Sequence, residues 1–177
     1  MPRKVRTRDR KQNRSMGVRG SDFGLRAPFL YHARVRYPEQ LIAAMRQDLT
    51  RHGVEEARTP EDVDKLVGAA DANDVVMMVV NSVCGCAAGK ARPGVGMALQ
   101  HATRPAKVAT VFAGGDVEAT NRVRELAGTL PPSSPCVYLF RGGKPVFLLP
   151  RHAIENRQAP EIAKVLTDAF DEHCRPA

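Results

Sequence analysis

The chain has 177 residues, a length that suits one domain with a sizeable hydrophobic core. It contains no Trp and only 5% aromatic residues, which argues against an aromatic stacking surface for single-stranded nucleic acid. The net charge is +8, but eleven Lys and Arg against two Asp lie in residues 1–36, so the rest is close to neutral. No apolar run is long enough for a membrane span, and four scattered cysteines favour a reducing, cytoplasmic compartment over a disulfide scaffold.

Residues 1–36 are basic and show little apolar periodicity, so we predict a disordered arm before a folded domain over residues 37–177. Clustered Arg residues neutralise phosphates, which suggests weak polyanion binding through this arm. Two other interpretations stay open: an inert solvated tail, or a start codon placed too far upstream, with Met16 as the alternative. Nothing in the arm resembles a base-reading motif.

Two helices are predicted before the first long strand. The first begins near Pro38, which suits a first helical turn, and ends near Gly53. Its expected buried face consists of Leu41, Ile42, Met45 and Leu49. The second begins at Thr59, with Asp62 three residues later to form a capping box.

The central predicted element is the unbroken apolar run Val75–Val80, typical of a strand covered on both faces. Cys84 and Cys86 follow it, where the amino end of the next helix can lower a thiol pKa through free N–H groups and the helix dipole. The thiolate, not the thiol, is the nucleophile, so this position indicates redox chemistry. Pro93 interrupts the helix that then runs toward His101.

The remaining elements are predicted from short apolar patterns and turn residues. A strand over Lys107–Ala113 precedes a helix capped by Asp116. Strands Cys136–Arg141 and Pro145–Leu149 form an antiparallel hairpin, and a last helix begins at Pro160. This order predicts an α/β fold, a mixed sheet with helices on both faces and an extra N-terminal helix.

The residues alone leave several interpretations of the cysteines open. Cys84 and Cys86 could be buried small hydrophobes, a redox pair, or part of a soft-metal site for zinc, copper(I) or an iron–sulfur cluster. We favour redox chemistry and predict no metal, because the five His show no ligand spacing with the single cysteines. Cys174 is either a frayed-terminus thiol or a third redox thiol, and Cys136 is expected to point into the sheet.

An ordered set of motifs resembles the bacilliredoxin family of thioredoxin-like proteins. The motifs are Val80–Gly89, Ala91–Pro93, Thr110–Gly114, Pro132–Pro135, Pro150–His152 and Ala169–Cys174. The resemblance implies a thioredoxin-like fold in which Pro135 is a cis proline lying against the active-site cysteines. The basic arm and Cys136 lie outside the resemblance.

The resemblance also implies an activity, the removal of the small thiol bacillithiol from mixed disulfides on S-thiolated proteins. Cys84 would attack the sulfur of the capping thiol, and Cys86 or another small thiol would resolve the product. Ser134 and Pro135 would form the docking surface for the substrate. No bound cofactor is needed, because bacillithiol enters only as a co-substrate.

Two arginines are candidate substrate contacts on the same basis. Bacillithiol is expected to be anionic through its carboxylates, so Arg92 and Arg151 are plausible counter-charges. The alternative functions are a general disulfide isomerase or reductase and a metal-binding module that uses Cys84 and Cys86. The sequence indicates neither the protein targets nor an oligomeric state.

Overall fold

The computed structural model describes residues 36–68 and 73–174, so the expectations for residues 1–35 lie outside it and the domain boundary stays a prediction. The helical elements of the described residues are α1 (Glu39–Thr50), α2 (Pro60–Gly68), a π-helical turn (Ala87–Ala91), α3 (Arg92–Ala98), α4 (Val117–Leu126), α5 (Arg151–Glu155) and α6 (Ala159–His173). The strands are β1 (Glu55–Glu56), β2 (Val75–Asn81), β3 (Lys107–Phe112), β4 (Cys136–Arg141) and β5 (Lys144–Leu149).

The five strands form one mixed sheet in the order β1-β3-β2-β4-β5. Strand β3 runs parallel to β1 and β2, whereas β4 runs antiparallel to β2 and β5. Every residue of the central strand β2 is buried, as its unbroken apolar run predicts. The sequence therefore predicted the class of sheet correctly.

Helices cover both faces of the sheet. Alternate side chains of β2 point to opposite faces, and each set packs in a separate hydrophobic core beneath the helices of that face. Met77 and Val79 pack on one face with residues of α1, α3 and α6. Val76 and Met78 pack on the other face with residues of α2 and α4. Among the described residues no helix combines the length and the apolar character needed to cross a membrane.

The predicted buried face of α1 and the predicted cap of α4 are both partly wrong, for one physical reason. Leu41 is 52% exposed, whereas Arg46 is buried. The Arg46 guanidinium donates two hydrogen bonds of 2.8 Å to the Asp116 carboxylate. That carboxylate also accepts the Phe112 N–H at 2.9 Å and gives α4 no side-chain cap. A buried cation needs a paired anion, and this requirement decides which face of α1 turns inward.

The helix starts agree better with the sequence. Asp62 accepts the N–H of Thr59 while the Thr59 hydroxyl accepts the N–H of Asp62, which confirms the capping box of α2. Helix α6 begins at Ala159, one residue before the predicted Pro160. The two-residue strand β1 and the five-residue helix α5 were not predicted, because neither is long enough to show a periodic pattern.

Candidate active site

The strand register brings the two sequence-predicted parts of the site to one edge of the sheet. Val80 of β2 lies opposite Cys136 of the antiparallel β4, so the end of β2 meets the start of β4. Cys84 and Cys86 follow β2, and the Ser134–Pro135 peptide, which is cis, immediately precedes β4. The cysteine pair and the proline loop therefore share this edge, as the resemblance implies.

The paired cysteines form a disulfide whose Cα atoms are 5.4 Å apart, so the structure represents the oxidised state. Both are half-buried, and the intervening Gly85 is exposed. The Cys84 Sγ accepts the Ala87 N–H at 3.3 Å and lies 3.3 Å from the Ser82 hydroxyl oxygen. Hydrogen bonds to a sulfur favour its charged form, so this environment lowers the cost of a Cys84 thiolate.

The chain after Cys84 turns at once into a helix that begins in an unusual way. The Cys84 carbonyl accepts the N–H groups of Ala87 and Ala88 at 3.0 and 3.1 Å. A π-helical turn follows and leads into α3, where Pro93 occupies one of the first two helical positions. Pro93 has no N–H to continue the ladder, and π turns are frequent at functional sites. The predicted interruption is therefore a π-helical turn just before Pro93 and not a break in the helix. Cys84 lies at the amino end of the helical segment.

The last residue of β2 anchors the approach to the cysteines. Asn81 is buried, and its Nδ2 donates to the Met45 carbonyl of α1 at 3.2 Å. Its Oδ1 accepts the Ser82 N–H at 2.8 Å and the Arg92 Nη1 at 3.2 Å. The Asn81 side chain therefore ties the turn before Cys84 to the backbone of α1 and to the Arg92 side chain of α3.

Arg92, which we expected to be a counter-charge for an anionic substrate, lies in the interior. It is 4% exposed and donates to the Ser82 carbonyl at 3.1 Å and to the Asp48 carboxylate at 3.0 Å. Burial lowers the pKa of Arg92 from its ordinary value, and the nearby Asp48 opposes that shift. A substrate carboxylate would have to break these contacts to reach Arg92.

Arg151, in contrast, is exposed beside the proline loop. Its Nη1 donates to the Ser134 carbonyl at 3.3 Å, and its backbone N–H donates to the Ser133 hydroxyl at 3.2 Å. Its Nε donates to Glu155 at 2.6 Å, and His152 beside it is exposed. The structure therefore brings Arg151 to the expected docking surface, with its guanidinium open to solvent.

Cys174 lies at the other end of the sheet. The carbonyl of its neighbour His173 accepts a hydrogen bond from Arg141, the last residue of β4. Along β4 the start and end are about 16 Å apart, so the structure does not bring Cys174 to Cys84. Burial raises the pKa of the Cys174 thiol to about 11, which disfavours the reactive thiolate.

Cys136 is fully buried and points into the sheet, as expected. It packs with Tyr138 on the face covered by α2 and α4, whereas α3 covers the opposite face. Its thiol donates to the Ser133 carbonyl at 3.1 Å, and burial raises its pKa. No group of three or more His, Cys, Asp or Glu that could hold a metal ion occurs within residues 36–68 and 73–174.

Comparison with known proteins identifies the family to which this site belongs. A family model described as disulphide isomerase matches residues 37–174. A bacilliredoxin from Koribacter versatilis is 50% identical over 138 residues, which cover 78% of this chain and 94% of that protein. Bacilliredoxins from Salinibacter ruber and Staphylococcus aureus are 49% and 44% identical, covering 78% of this chain and 81% and 96% of those proteins. The chain belongs to the bacilliredoxin family.

Among solved structures, the thioredoxin of Malassezia sympodialis gives a TM-score of 0.48 at 13% identity, covering 69% of this chain and 91% of that one. The thioredoxin-like assignment rests on the strand order, the Cys-x-Cys turn after β2 and the cis proline before β4. The family and the paired cysteines together show that this chain is a thiol–disulfide oxidoreductase.

Proposed function

We propose that this protein removes bacillithiol, or a similar low-molecular-weight thiol, from S-thiolated proteins in the cytoplasm. The observation that carries the proposal is the environment of the Cys84 sulfur at the start of a helical segment. There it meets the Ala87 N–H and the Ser82 hydroxyl, each at 3.3 Å. Both groups favour negative charge on this sulfur, so Cys84 is assigned as the nucleophile.

The exchange proceeds through two disulfide transfers. The Cys84 thiolate attacks the sulfur of the cap, forms a mixed disulfide with it and releases the target protein as a thiolate. The Cys86 thiolate then attacks the Cys84 sulfur and releases the cap, which leaves the disulfide present in the structure. Reduction of this disulfide by two small thiols, which become a disulfide, returns the enzyme to its starting state.

The proposed docking surface is the loop around the Ser134–Pro135 peptide, beside the cysteine turn. Arg151, the first residue of α5, lies beside this loop, and its exposed guanidinium donates to the Ser134 carbonyl. An anionic cap such as bacillithiol would gain a counter-charge there without breaking a buried contact. We therefore assign the recognition of the cap to Arg151 and not to the buried Arg92.

The test compares two caps on one protein. The reduced enzyme is given the same model protein in a bacillithiolated and a glutathionylated form, and cap release is followed by intact mass. We expect faster release of bacillithiol and a smaller difference in Arg151→Gln. Equal release rates for the two caps would contradict the assigned specificity, and no release of either cap would contradict the proposed function.

A general disulfide isomerase or reductase is the second candidate, supported by the description of the matching family model. It predicts that the reduced protein restores activity to a scrambled, disulfide-containing substrate. Reactivation faster than cap release on the same protein would favour this candidate. Cap release without reactivation would favour de-thiolation.

A further inference from the structure

A buried cation lies directly beneath the cysteine turn, and the exchange chemistry described above does not use it. The Arg92 side chain is 5% exposed and sits on α3, which begins after the π-helical turn. It donates to α1 through Asp48 and to the end of β2 through Asn81 and Ser82. One guanidinium thus joins the three elements that meet under the Cys84 turn.

The contacts lead from the guanidinium to the reactive sulfur in two steps. Arg92 Nη1 lies 3.1 Å from the Ser82 carbonyl and 3.2 Å from the Asn81 Oδ1, which also accepts the Ser82 N–H. The Ser82 hydroxyl in turn lies 3.3 Å from the Cys84 Sγ. Arg92 therefore holds the backbone of Ser82, whose hydroxyl lies against the Cys84 sulfur.

Asp48 carries the charge opposite to that of Arg92, but it cancels the potential of Arg92 at Cys84 only in part. Arg92 is desolvated, whereas the Asp48 side chain is 36% exposed and also lies 3.8 Å from Arg51. Water screens the exposed carboxylate more than the buried cation, so a net positive potential remains on the Ser82 side. A guanidinium stays protonated in proteins even where burial disfavours its charge.

The other charged groups of this edge are more exposed to solvent. Lys90 donates to the Glu155 carbonyl, and Arg151 is paired with the Glu155 carboxylate. The Arg151 and Glu155 side chains are 47% and 41% exposed, so their fields at Cys84 are weakened by solvent.

We propose that Arg92 is a positioning residue of the redox site, which fixes Ser82 against the Cys84 sulfur and supplies the buried positive charge that favours the Cys84 thiolate. Asp48 of α1 weakens this stabilisation of the thiolate, because its negative charge partly compensates that of Arg92. The link to turnover rests on the proposed function, but the effect on Cys84 does not require a thiolated substrate.

The test measures the pKa of Cys84 directly. In a Cys86→Ser background, the rate of Cys84 alkylation is followed against pH, with the modified peptide identified by mass. Arg92→Gln should raise the pKa of Cys84 by about one unit, because a nearby positive charge is lost. Asp48→Asn should lower it by about half a unit, because the remaining cation is less compensated.

Matched controls use the exposed ion pair between Arg122 of α4 and Asp64 of α2, whose charged atoms are 2.7 Å apart. Arg122→Gln and Asp64→Asn remove one positive and one negative charge on the other face of the sheet. Neither variant should change the pKa of Cys84. Arg92→Lys keeps the charge but not the forked geometry of the guanidinium. The pKa of Cys84 in this variant should therefore lie between those of the wild type and Arg92→Gln.

Opposite shifts of the Cys84 pKa in Arg92→Gln and Asp48→Asn would indicate an electrostatic role. A variant that only loosened the turn would shift the pKa in the same direction in both cases. An unchanged or raised pKa in Asp48→Asn would overturn the proposal, and this variant decides the matter if Arg92→Gln does not fold. Opposite shifts in a protein that releases no cap would uphold the role of Arg92 and refute only the proposed de-thiolation.

Discussion

Cys84 and Cys86 are separated by one residue, yet only the Cys84 sulfur receives both the Ala87 N–H and the Ser82 hydroxyl. These contacts stabilise a thiolate, so the two cysteines have different parts in the exchange. The motif alone predicted a redox pair after a buried strand. The role of Ser82 depends on how the chain turns after β2, which no periodic pattern of residues specifies.

Replacing each cysteine separately tests this division. Cys84→Ser should reduce the first transfer to the uncatalysed rate, because the nucleophile is lost. Cys86→Ser should keep the first transfer and accumulate the enzyme with one cap on Cys84, which intact mass detects. Cys174→Ser serves as the control and should release the cap at the wild-type rate. A capped product in Cys84→Ser would contradict the assignment of Cys84.

Alkylation should distinguish the free thiols by their environments. The pKa of Cys174, raised by burial to about 11, leaves roughly one molecule in ten thousand as thiolate at pH 7. Its alkylation rate should therefore rise about tenfold per pH unit up to that value. Cys136 is fully buried and should react only after unfolding. Mass-resolved alkylation of the reduced protein checks both, and a fast reaction of Cys174 at pH 7 would restore it as a candidate redox thiol.

Between elements, the ion pair of Arg46 and Asp116 connects α1 to the start of α4. Asp116→Asn should destabilise the protein by about 3 kcal/mol, because a buried guanidinium would lose its main anionic partner. Asp168→Asn at the exposed pair with Lys164, 2.8 Å apart, should cost less than about 0.5 kcal/mol. Urea unfolding of both variants measures these differences, and equal midpoints would show that the buried pair contributes no more than the exposed one.

Elements with a strong apolar pattern were predicted well, and those whose position depends on a distant charge were not. β2 and the capping box of α2 are local features, so the sequence contains their cause. The inward face of α1 depends on Asp116, which lies 70 positions away from Arg46 along the chain. The interior position of Arg92 likewise depends on Asp48, 44 positions away. Such partners become visible only when the strand order brings the elements together.

For the whole molecule, the charge is divided between a basic amino-terminal segment and a nearly neutral remainder. The family match covers residues 37–174, so the redox chemistry belongs to the part of the chain that follows the basic segment. We propose that residues 1–36 add weak binding to polyanions and take no part in the exchange. The two properties should therefore be separable by deletion.

Deleting residues 1–36 should leave the unfolding temperature and the rate of cap release nearly unchanged. The only described contact removed is the exposed pair of Arg36 and Glu118, and such pairs contribute at most about 1 kcal/mol. Retention of the full chain on immobilised DNA should weaken steeply as salt is added and disappear in the deletion variant. A variant of full length with the Lys and Arg of residues 1–36 changed to Gln separates charge from length, since it too should lose retention. A large fall in the unfolding temperature on deletion would instead show that the segment packs against the domain and contributes to its stability.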